Sequence, residues 1–264
     1  MKLINAMKKI TTFILAIFFI CNMTKAQDTL YIYKSGTVLT KYSISEIDSL
    51  TFHNALPPAL PPVISPDSVA DIDGNIYHTV KIGTQIWMIE NLKTTKYRDG
   101  TSIPYVTDAT TWMNLTTGAY CNYNNDQAIA AVYGRLYNWY SVTDVRSIAP
   151  IGWHVPTNED LTLLINYLGG TDLAGAKLKE SGTAHWLSPN ADSNNLSGFT
   201  GLPAGCRWND MTFTDLGMNV YWWSSTSLSE TAAKYLNISN GYSAVYKSAW
   251  AKNVGFSVRC VRDN

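Results

Sequence analysis

The sequence lacks the spaced sets of residues that most catalytic and metal centres require. Its four histidines are scattered, and no H-x-x-x-H, H-E-x-x-H or C-x-x-C spacing occurs, so a zinc site cannot be assembled from them. A glycine-rich phosphate loop and a G-x-S-x-G turn are also missing, so we interpret Ser224 and Ser225 as strand-end hydroxyls and not as nucleophiles. We therefore predict no catalytic residue and expect a protein that is not an enzyme.

An excess of charge of one sign is missing as well. The 264 residues include 20 Lys and Arg against 20 Asp and Glu, and charged residues make up only 15% of the chain. The first 26 residues contain four lysines and no acid, so the remainder carries 16 basic and 20 acidic residues, a formal charge of −4. A nucleic-acid binder would show a basic patch or stripe, so the composition argues against a nucleic-acid partner.

Cysteine is sparse, and its count limits the disulfides that can form. The chain has four cysteines, and removal of Cys21 with an N-terminal leader would leave Cys121, Cys206 and Cys260. An odd number in an exported protein allows at most one internal pair. The favoured pair is Cys206 with Cys260, because each lies beside an arginine in a predicted strand region. Three small buried thiols are the alternative.

The N-terminus combines positive charge with an apolar run. Three lysines precede the run Ile10–Cys21, and Thr24-Lys25-Ala26 offers a small-x-small cleavage site, so residues 1–26 are predicted to be a secretory signal peptide. The run is too short to cross a bilayer comfortably, and we expect no transmembrane helix in the mature chain. Cys21 raises the alternative of a lipoprotein signal, although Ile20 before it does not fit a lipobox. The expected location is outside the cell or on its outer surface, with the periplasm as the alternative.

The mature chain divides at a proline-rich segment. Residues 27–55 contain two short stretches of β-branched and aromatic residues around Lys34-Ser35-Gly36, which predicts a hairpin or a pair of small strands. Residues 56–66, LPPALPPVISP, contain five prolines and predict an extended linker. The main domain is therefore predicted to cover residues 67–264.

The clearest local signals in the main domain lie between Pro150 and Gly170. Thr157 with Asp160 is a variant of the capping box and predicts the start of a helix. A stripe of helical period follows, and Gly169-Gly170 provides residues that can adopt a positive φ at the helix end. The helix therefore has one buried face, made of Leu161, Leu164, Ile165 and Leu168.

The other elements predict an α+β domain with short sheets, two or three helices and long loops. The stretch Ile76–Glu90 alternates around Gly83 and predicts two strands with Trp87 in the core. Gly134–Val145 is predicted as a helix whose aromatic face packs against the leucine stripe, and Thr171–Ser181 as a third short helix. Strands are expected near 221–225, 233–239, 242–247 and 255–262, with the N- and C-terminal strands in one sheet.

Aromatic and asparagine-rich loops are the features that favour ligand binding. All nine tryptophans follow position 86, and residues 107–131 form a polar stretch long enough to need a function or an ordering ligand. Trp87, Trp139 and Trp153 are predicted to lie in the core. For Trp112, Trp186, Trp208 and Trp250, the sequence leaves both core packing and ligand contact open. The candidate ligand-binding residues are Trp112, Asn122, Asn124, Asp126, Trp186, Trp208, Asn209, Asp210 and Trp250.

Calcium is the only cofactor that the sequence leaves open. The stretch Asp71–Asn75 resembles the start of an EF-hand loop, but positions 6 and 12 of such a loop would be Ile76 and Ile82. A polar turn before a strand is therefore the better interpretation, with a different calcium loop as the alternative.

Six segments, in this order and spacing, resemble one known family, the Fibrobacter succinogenes major paralogous domain. The segments are DIDGNIYHTVKIGTQIWMIENLKTTKYRDG, YGRLYNWYSV, GWHVPTNEDLTLL, GFTGLPAGCRW, YWWSST and GFSVRCVRD, and they extend from Asp71 to Asp263. The family is common in exported proteins of Bacteroidetes-type bacteria and its biochemical function is undefined.

The GWHVPT helix and the G-F-S-V-R strand are also similar to segments of the sulfatase-modifying, formylglycine-generating enzymes, which implies an irregular variant of the C-type lectin fold. Those enzymes use a cysteine pair just before the corresponding strand, and Tyr235–Val254 contains no cysteine. Trp208-Asn209-Asp210 resembles the calcium-binding W-N-D of sugar-binding lectins, but the companion E-P-N or Q-P-D tripeptide is missing.

These observations favour an exported, non-catalytic protein that binds a glycan or protein ligand through loops of a lectin-like domain. An enzyme of the sulfatase-modifying type, using Cys206 or Cys260, is one alternative. A structural component of a surface assembly is another.

Overall fold

The computed structural model describes residues 29–34, 37–43, 64–210 and 212–263. The chain forms two compact units, Met1–Pro58 and Ala59–Asn264. The predicted signal peptide and residues 56–63 of the predicted linker lie outside the described residues.

The described part of the first unit is a two-stranded antiparallel sheet. Strand β1 is Thr29–Lys34 and strand β2 is Thr37–Ser43, and their register pairs Thr29 with Ser43. This pairing confirms the two predicted strands, while residues 35–36 and 44–55 of the predicted unit lie outside the described residues.

The second unit contains the remaining elements, with five α-helices among the described residues. Its strands are β3 (Ile64–Ala70), β4 (Ile76–Ile82), β5 (Gln85–Met88), β6 (Tyr120–Cys121), β7 (Leu136–Tyr137), β8 (Trp153–His154), β9 (Ala204–Arg207), β10 (Phe213–Leu216), β11 (Asn219–Ser227), β12 (Ala232–Ser239), β13 (Val245–Ala251) and β14 (Val261–Arg262). Its helices are α1 (Ala109–Met113), α2 (Gln127–Tyr133), α3 (Trp139–Val142), α4 (Asn158–Tyr167) and α5 (Thr171–Leu178). The last three residues of the predicted linker, 64–66, are thus part of β3.

One five-stranded sheet joins the two ends of the domain, in the order β3-β4-β5-β14-β8. Val261 pairs with Trp87 on one side and with His154 on the other. The prediction that N- and C-terminal strands share a sheet is therefore confirmed. Gly83 has a φ of 63° in the β4–β5 turn, which explains why glycine occupies the point around which the sequence alternates.

The other five-stranded sheet has the order β10-β9-β11-β12-β13 and separates two hydrophobic clusters. Because side chains alternate along a strand, Leu236 and Ile238 face one cluster while Ala233 and Tyr235 face the other. The first cluster is covered by α4 and contains Leu161, Leu164, Ile165, Leu168, Trp87 and Trp222.

Helix α4 begins and ends as the sequence predicts. Asp160 N donates to Thr157 Oγ1 at 3.1 Å, and Thr157 N donates to Asp160 Oδ2 at 2.9 Å, so both bonds of the capping box form. All four residues of the predicted stripe are at most 4% exposed. Gly169 and Gly170 follow with φ angles of 98° and 92°.

The predicted helix Gly134–Val145 is wrong. Leu136 and Tyr137 form β7, which pairs with β6, and helix α3 begins only after Asn138, whose side chain accepts a hydrogen bond from Ser141 N at 3.1 Å. Trp139 packs in the cluster on the other face of the sheet from the α4 stripe, so the two segments do not share one core. Cross-strand pairing and the asparagine cap prevail here over helical spacing.

The predicted loop 107–131 is also more regular than the sequence indicates. It contains α1, the strand β6, a 3₁₀ turn at Tyr123–Asn125 and the start of α2. Asp108 caps α1 by accepting from Thr111 N at 2.8 Å, so short capped helices replace the extended excursion.

Candidate ligand-binding site

The predicted core tryptophans are buried, but so are two of the predicted binding residues. Trp87, Trp139 and Trp153 are at most 8% exposed, which confirms their core role. Trp112 is 0% and Trp186 is 1% exposed, so core packing, and not ligand contact, is the interpretation that describes these two candidates.

Both buried indoles have structural partners that the sequence does not reveal. Trp112 lies under the guanidinium of Arg207, 4.7 Å from the ring centroid. Trp186 donates its Nε1 proton to Gly201 O at 2.9 Å. Their side chains therefore fill the interior.

The polar candidates of the 107–131 stretch serve mainly local structure. Asn122 is buried, accepts from Arg135 Nη1 at 2.8 Å and donates to Gln127, so its predicted binding role is replaced by a structural one. Asn124 is exposed in the 3₁₀ turn with a φ of 51°. Asp126 is exposed, and its carboxylate caps α2 by accepting from Ala128 N at 2.7 Å.

Trp208 and Trp250 are the two predicted binding residues that the fold brings together. Their ring centroids are 5.3 Å apart with an interplanar angle of 59°. Trp208 is half-buried, packs edge-on against Phe256 at 5.7 Å and donates its Nε1 proton to Thr214 Oγ1 at 2.8 Å. Trp250 is 45% exposed. An exposed indole therefore rests on an anchored one.

The strand register extends this pair into a larger surface. Residues 246, 248 and 250 of β13 lie on the same face of the sheet, because side chains alternate along a strand. Ser248 pairs with Tyr235 of β12. Tyr235 is half-buried and Tyr246 is 47% exposed. We name this surface the aromatic ledge and define it as Trp208, Tyr235, Tyr246 and Trp250.

Tyr235 and Tyr246 are not among the binding residues predicted from the sequence. The sequence signal for Tyr246 is its spacing of two and four residues from Ser248 and Trp250, which places all three side chains on one face of a strand.

Polar groups border the ledge on the β9–β10 turn. Asn209 and Asp210 are exposed immediately after Trp208. Asp210 Oδ1 accepts from Thr212 Oγ1 at 2.7 Å and from Thr212 N at 3.1 Å, and these hydrogen bonds lower the pKa of the carboxyl. Asp210 is thus an ionised acceptor beside the ledge. The described residues contain no group of three or more His, Cys, Asp or Glu side chains that could hold a metal ion.

A family model described as the Fibrobacter succinogenes major domain matches residues 80–262. The chain belongs to this family. The match confirms the resemblance stated for the sequence, and the matched range contains the whole aromatic ledge and the β9–β10 turn. Neither the curated proteins nor the solved structures yielded a match to the chain. Membership in the Fibrobacter succinogenes major domain family thus identifies the unit without assigning it an activity.

The predicted disulfide is not formed in this Fibrobacter succinogenes major domain. Cys121, Cys206 and Cys260 are all free and buried. Burial raises the pKa of the Cys121 thiol to about 12 and raises the pKa values of Cys206 and Cys260 well above their ordinary range. The prediction of a Cys206–Cys260 pair is wrong, and the alternative of three buried thiols describes the structure.

One histidine of the domain lies between two carboxylates. His154 Nδ1 is 2.6 Å from Asp263 Oδ1, and Nε2 is 3.2 Å from Asp160 Oδ2. Both ring nitrogens are therefore occupied, and neither is free to accept a proton from a serine or cysteine nucleophile. The described residues also contain no helix long and apolar enough to cross a membrane.

Proposed function

We propose that this chain is an exported, non-catalytic binding protein whose aromatic ledge holds a glycan. The observation that supports the proposal is Trp250, a 45% exposed indole fixed 5.3 Å from the anchored ring of Trp208. Burial of a large aromatic side chain normally stabilises a fold, so its exposure on a rigid strand favours an interaction surface.

The chemistry of the ledge suits a sugar chain. The C–H face of a pyranose ring is apolar and can cover an indole or phenol ring, while its hydroxyls need hydrogen-bond partners at the edge. Ser248 on the ledge strand, together with Asn209 and Asp210 on the neighbouring turn, offers donors and acceptors at that edge. Because β13 pairs with β12 along its whole length, little conformational entropy is lost when the ledge binds.

A binding role is favoured over catalysis by the state of the candidate nucleophiles. An enzyme of the sulfatase-modifying type would need a reactive thiol at Cys206 or Cys260, yet both are 0% exposed with raised pKa values. His154 is held by Asp160 and Asp263.

We further propose that residues 1–26 direct export to the outer surface or the medium, and that the α+β arrangement is a variant of the C-type-lectin-like fold. The helix capped at Thr157 and the pairing of the C-terminal strand with β5 support the second proposal, because both match the segments in which the sequences are similar.

The test is an array of glycans and proteins probed with residues 27–264, with and without calcium. We expect binding to glycans that is lost in Trp250→Ala and retained in Tyr42→Ala, a matched control whose aromatic ring is 49% exposed in the other unit. Loss of binding on calcium removal would identify a calcium-dependent mode.

Binding to proteins alone would overturn the glycan assignment. No binding above background would contradict the proposal and favour a structural component of a surface assembly, which crosslinking on intact cells would then detect.

A further inference from the structure

A cleft of about 380 Å³ opens in the second unit on residues that do not belong to the aromatic ledge. This volume lies within the roughly 300–1,000 Å³ that is typical of small-molecule sites. Its walls carry four hydroxyl groups without a hydrogen-bond partner among the described residues, those of Ser102, Thr116, Thr117 and Tyr140. Hydroxyl groups on residues that line a cleft can act as donors and as acceptors for a polar ligand.

The charged groups of the cleft form a fixed, neutral pair. Arg146 Nη2 lies 2.7 Å from Asp144 Oδ2, and Arg146 Nε lies 2.8 Å from Asp144 Oδ1. These hydrogen bonds from Arg146 lower the pKa of Asp144, so the pair is ionised and bidentate. The guanidinium also donates to Thr101 Oγ1 at 3.1 Å. Three of the five N–H donors of Arg146 are therefore used within the protein, and its charge is balanced by Asp144.

A buried tyrosine packs behind two residues of the cleft, Arg146 and Gly118. Tyr97 is 0% exposed, and the Arg146 guanidinium lies 3.9 Å above its ring. A Cβ atom on the cleft residue Gly118 would fall 2.0 Å from the Tyr97 hydroxyl, so only glycine fits at that wall. The cleft is thus shaped by packed residues and not by mobile side chains alone.

We infer that this cleft is a binding site for a neutral polyhydroxylated ligand, of the size of a single sugar ring. Four unpaired hydroxyls and one internally neutralised ion pair complement the hydroxyls of such a ligand without favouring a net charge. The inference does not depend on the ledge, because the two sites share no residue.

The test is an NMR titration of residues 27–264 with glucose, galactose, mannose and galacturonate. We expect dissociation constants of about 1 mM for at least one neutral sugar. The amide shifts should include Thr116–Gly118 and Tyr140, which are separate in the chain from the residues of the ledge. Thr116→Ala and Thr117→Ala should each weaken binding by about three- to tenfold, because each removes a hydroxyl group that can hydrogen-bond to the ligand. The exposed hydroxyl variant Thr231→Ala, which lies outside both sites, should leave the affinity unchanged.

Three results would overturn the inference. The first is the absence of any amide shift at neutral-sugar concentrations well above 1 mM, on the order of the expected dissociation constant. The second is a set of amide shifts confined to the ledge. The third is tighter binding of galacturonate than of galactose, which would show that the cleft selects an anion. Thermal unfolding of each variant shows that it is folded before its affinity is compared.

Discussion

Asp263 accepts a short hydrogen bond from His154, with 2.6 Å between Oδ1 and Nδ1, and thereby ties the residue after the last strand to β8. The opposite ring nitrogen of His154 contacts Asp160, the residue that completes the capping box of α4. Burial raises the pKa of the Asp160 carboxyl, but the hydrogen bonds from Thr157 and His154 outweigh this effect and lower it overall. The start of the central helix and the end of the domain are therefore held by one network.

Loss of the Thr157 cap should destabilise the domain measurably. Thr157→Ala removes the acceptor for Asp160 N and the hydroxyl donor to Asp160 Oδ2, and we expect the free energy of unfolding to fall by about 1 kcal/mol. Urea unfolding measures the change, with the exposed helix residue Asn166→Ala as the control. An equal effect of both substitutions would contradict a specific role of the cap.

Two adjacent leucines of α4 should differ in how much they stabilise the domain. Leu164 is 0% exposed and Leu163 is 56% exposed on the same helix. We expect Leu164→Ala to cost about 2–5 kcal/mol because it leaves a cavity, and Leu163→Ala to stay within about 0.5 kcal/mol. Denaturant unfolding compares them. Similar losses at the two positions would show that α4 does not pack as described.

The structure explains why α4 is predictable from sequence while the preceding segment is not. Its cap, its stripe and its terminal glycines all lie within fourteen residues, Thr157–Gly170, and they agree with one another. Leu136, in contrast, forms a strand because it pairs with Cys121. The local sequence around Leu136 carries no information about this pairing.

The candidate site shows the same division between local and remote information. The period of two in β13 is present in the sequence, but the contact of Trp250 with Trp208 joins two residues 42 positions apart in the chain. Trp112 and Trp186 resemble exposed loop aromatics by sequence, and only the tertiary positions of Arg207 and Gly201 show that they are interior.

A buried lysine should give the domain an unusual alkaline response. Lys179 is 0% exposed, and its ammonium donates to the carbonyls of Ala191, Ser239 and Tyr242. Burial lowers its pKa from 10.5 to about 8. Between these two values the unfolded chain binds more protons than the folded one, so this group makes the free energy of unfolding rise with pH, by at most about 1.4 kcal/mol per pH unit.

The measurement is urea unfolding at several pH values from 7 to about 10, comparing the chain with Lys179→Met. The stability of the unmodified chain relative to the variant should increase above pH 8. Parallel pH profiles for the two proteins would show that Lys179 keeps an ordinary pKa in the fold.

The thiols should be silent in the native protein and all present after unfolding. Because Cys121, Cys206 and Cys260 are buried and free, we expect no reaction of residues 27–264 with a thiol reagent under native conditions. Under denaturing, non-reducing conditions three thiols should react. A yield of one thiol would instead demonstrate the disulfide that the structure lacks.

The most direct test of the central claim is a calorimetric titration of residues 27–264 with the glycan selected on the array, comparing Trp250→Ala and Tyr42→Ala with the unmodified chain. If the aromatic ledge is the binding surface, Trp250→Ala should weaken the affinity by a hot-spot cost of about 2 kcal/mol or more, roughly thirtyfold, with no change in Tyr42→Ala. An unchanged dissociation constant in Trp250→Ala would contradict the account.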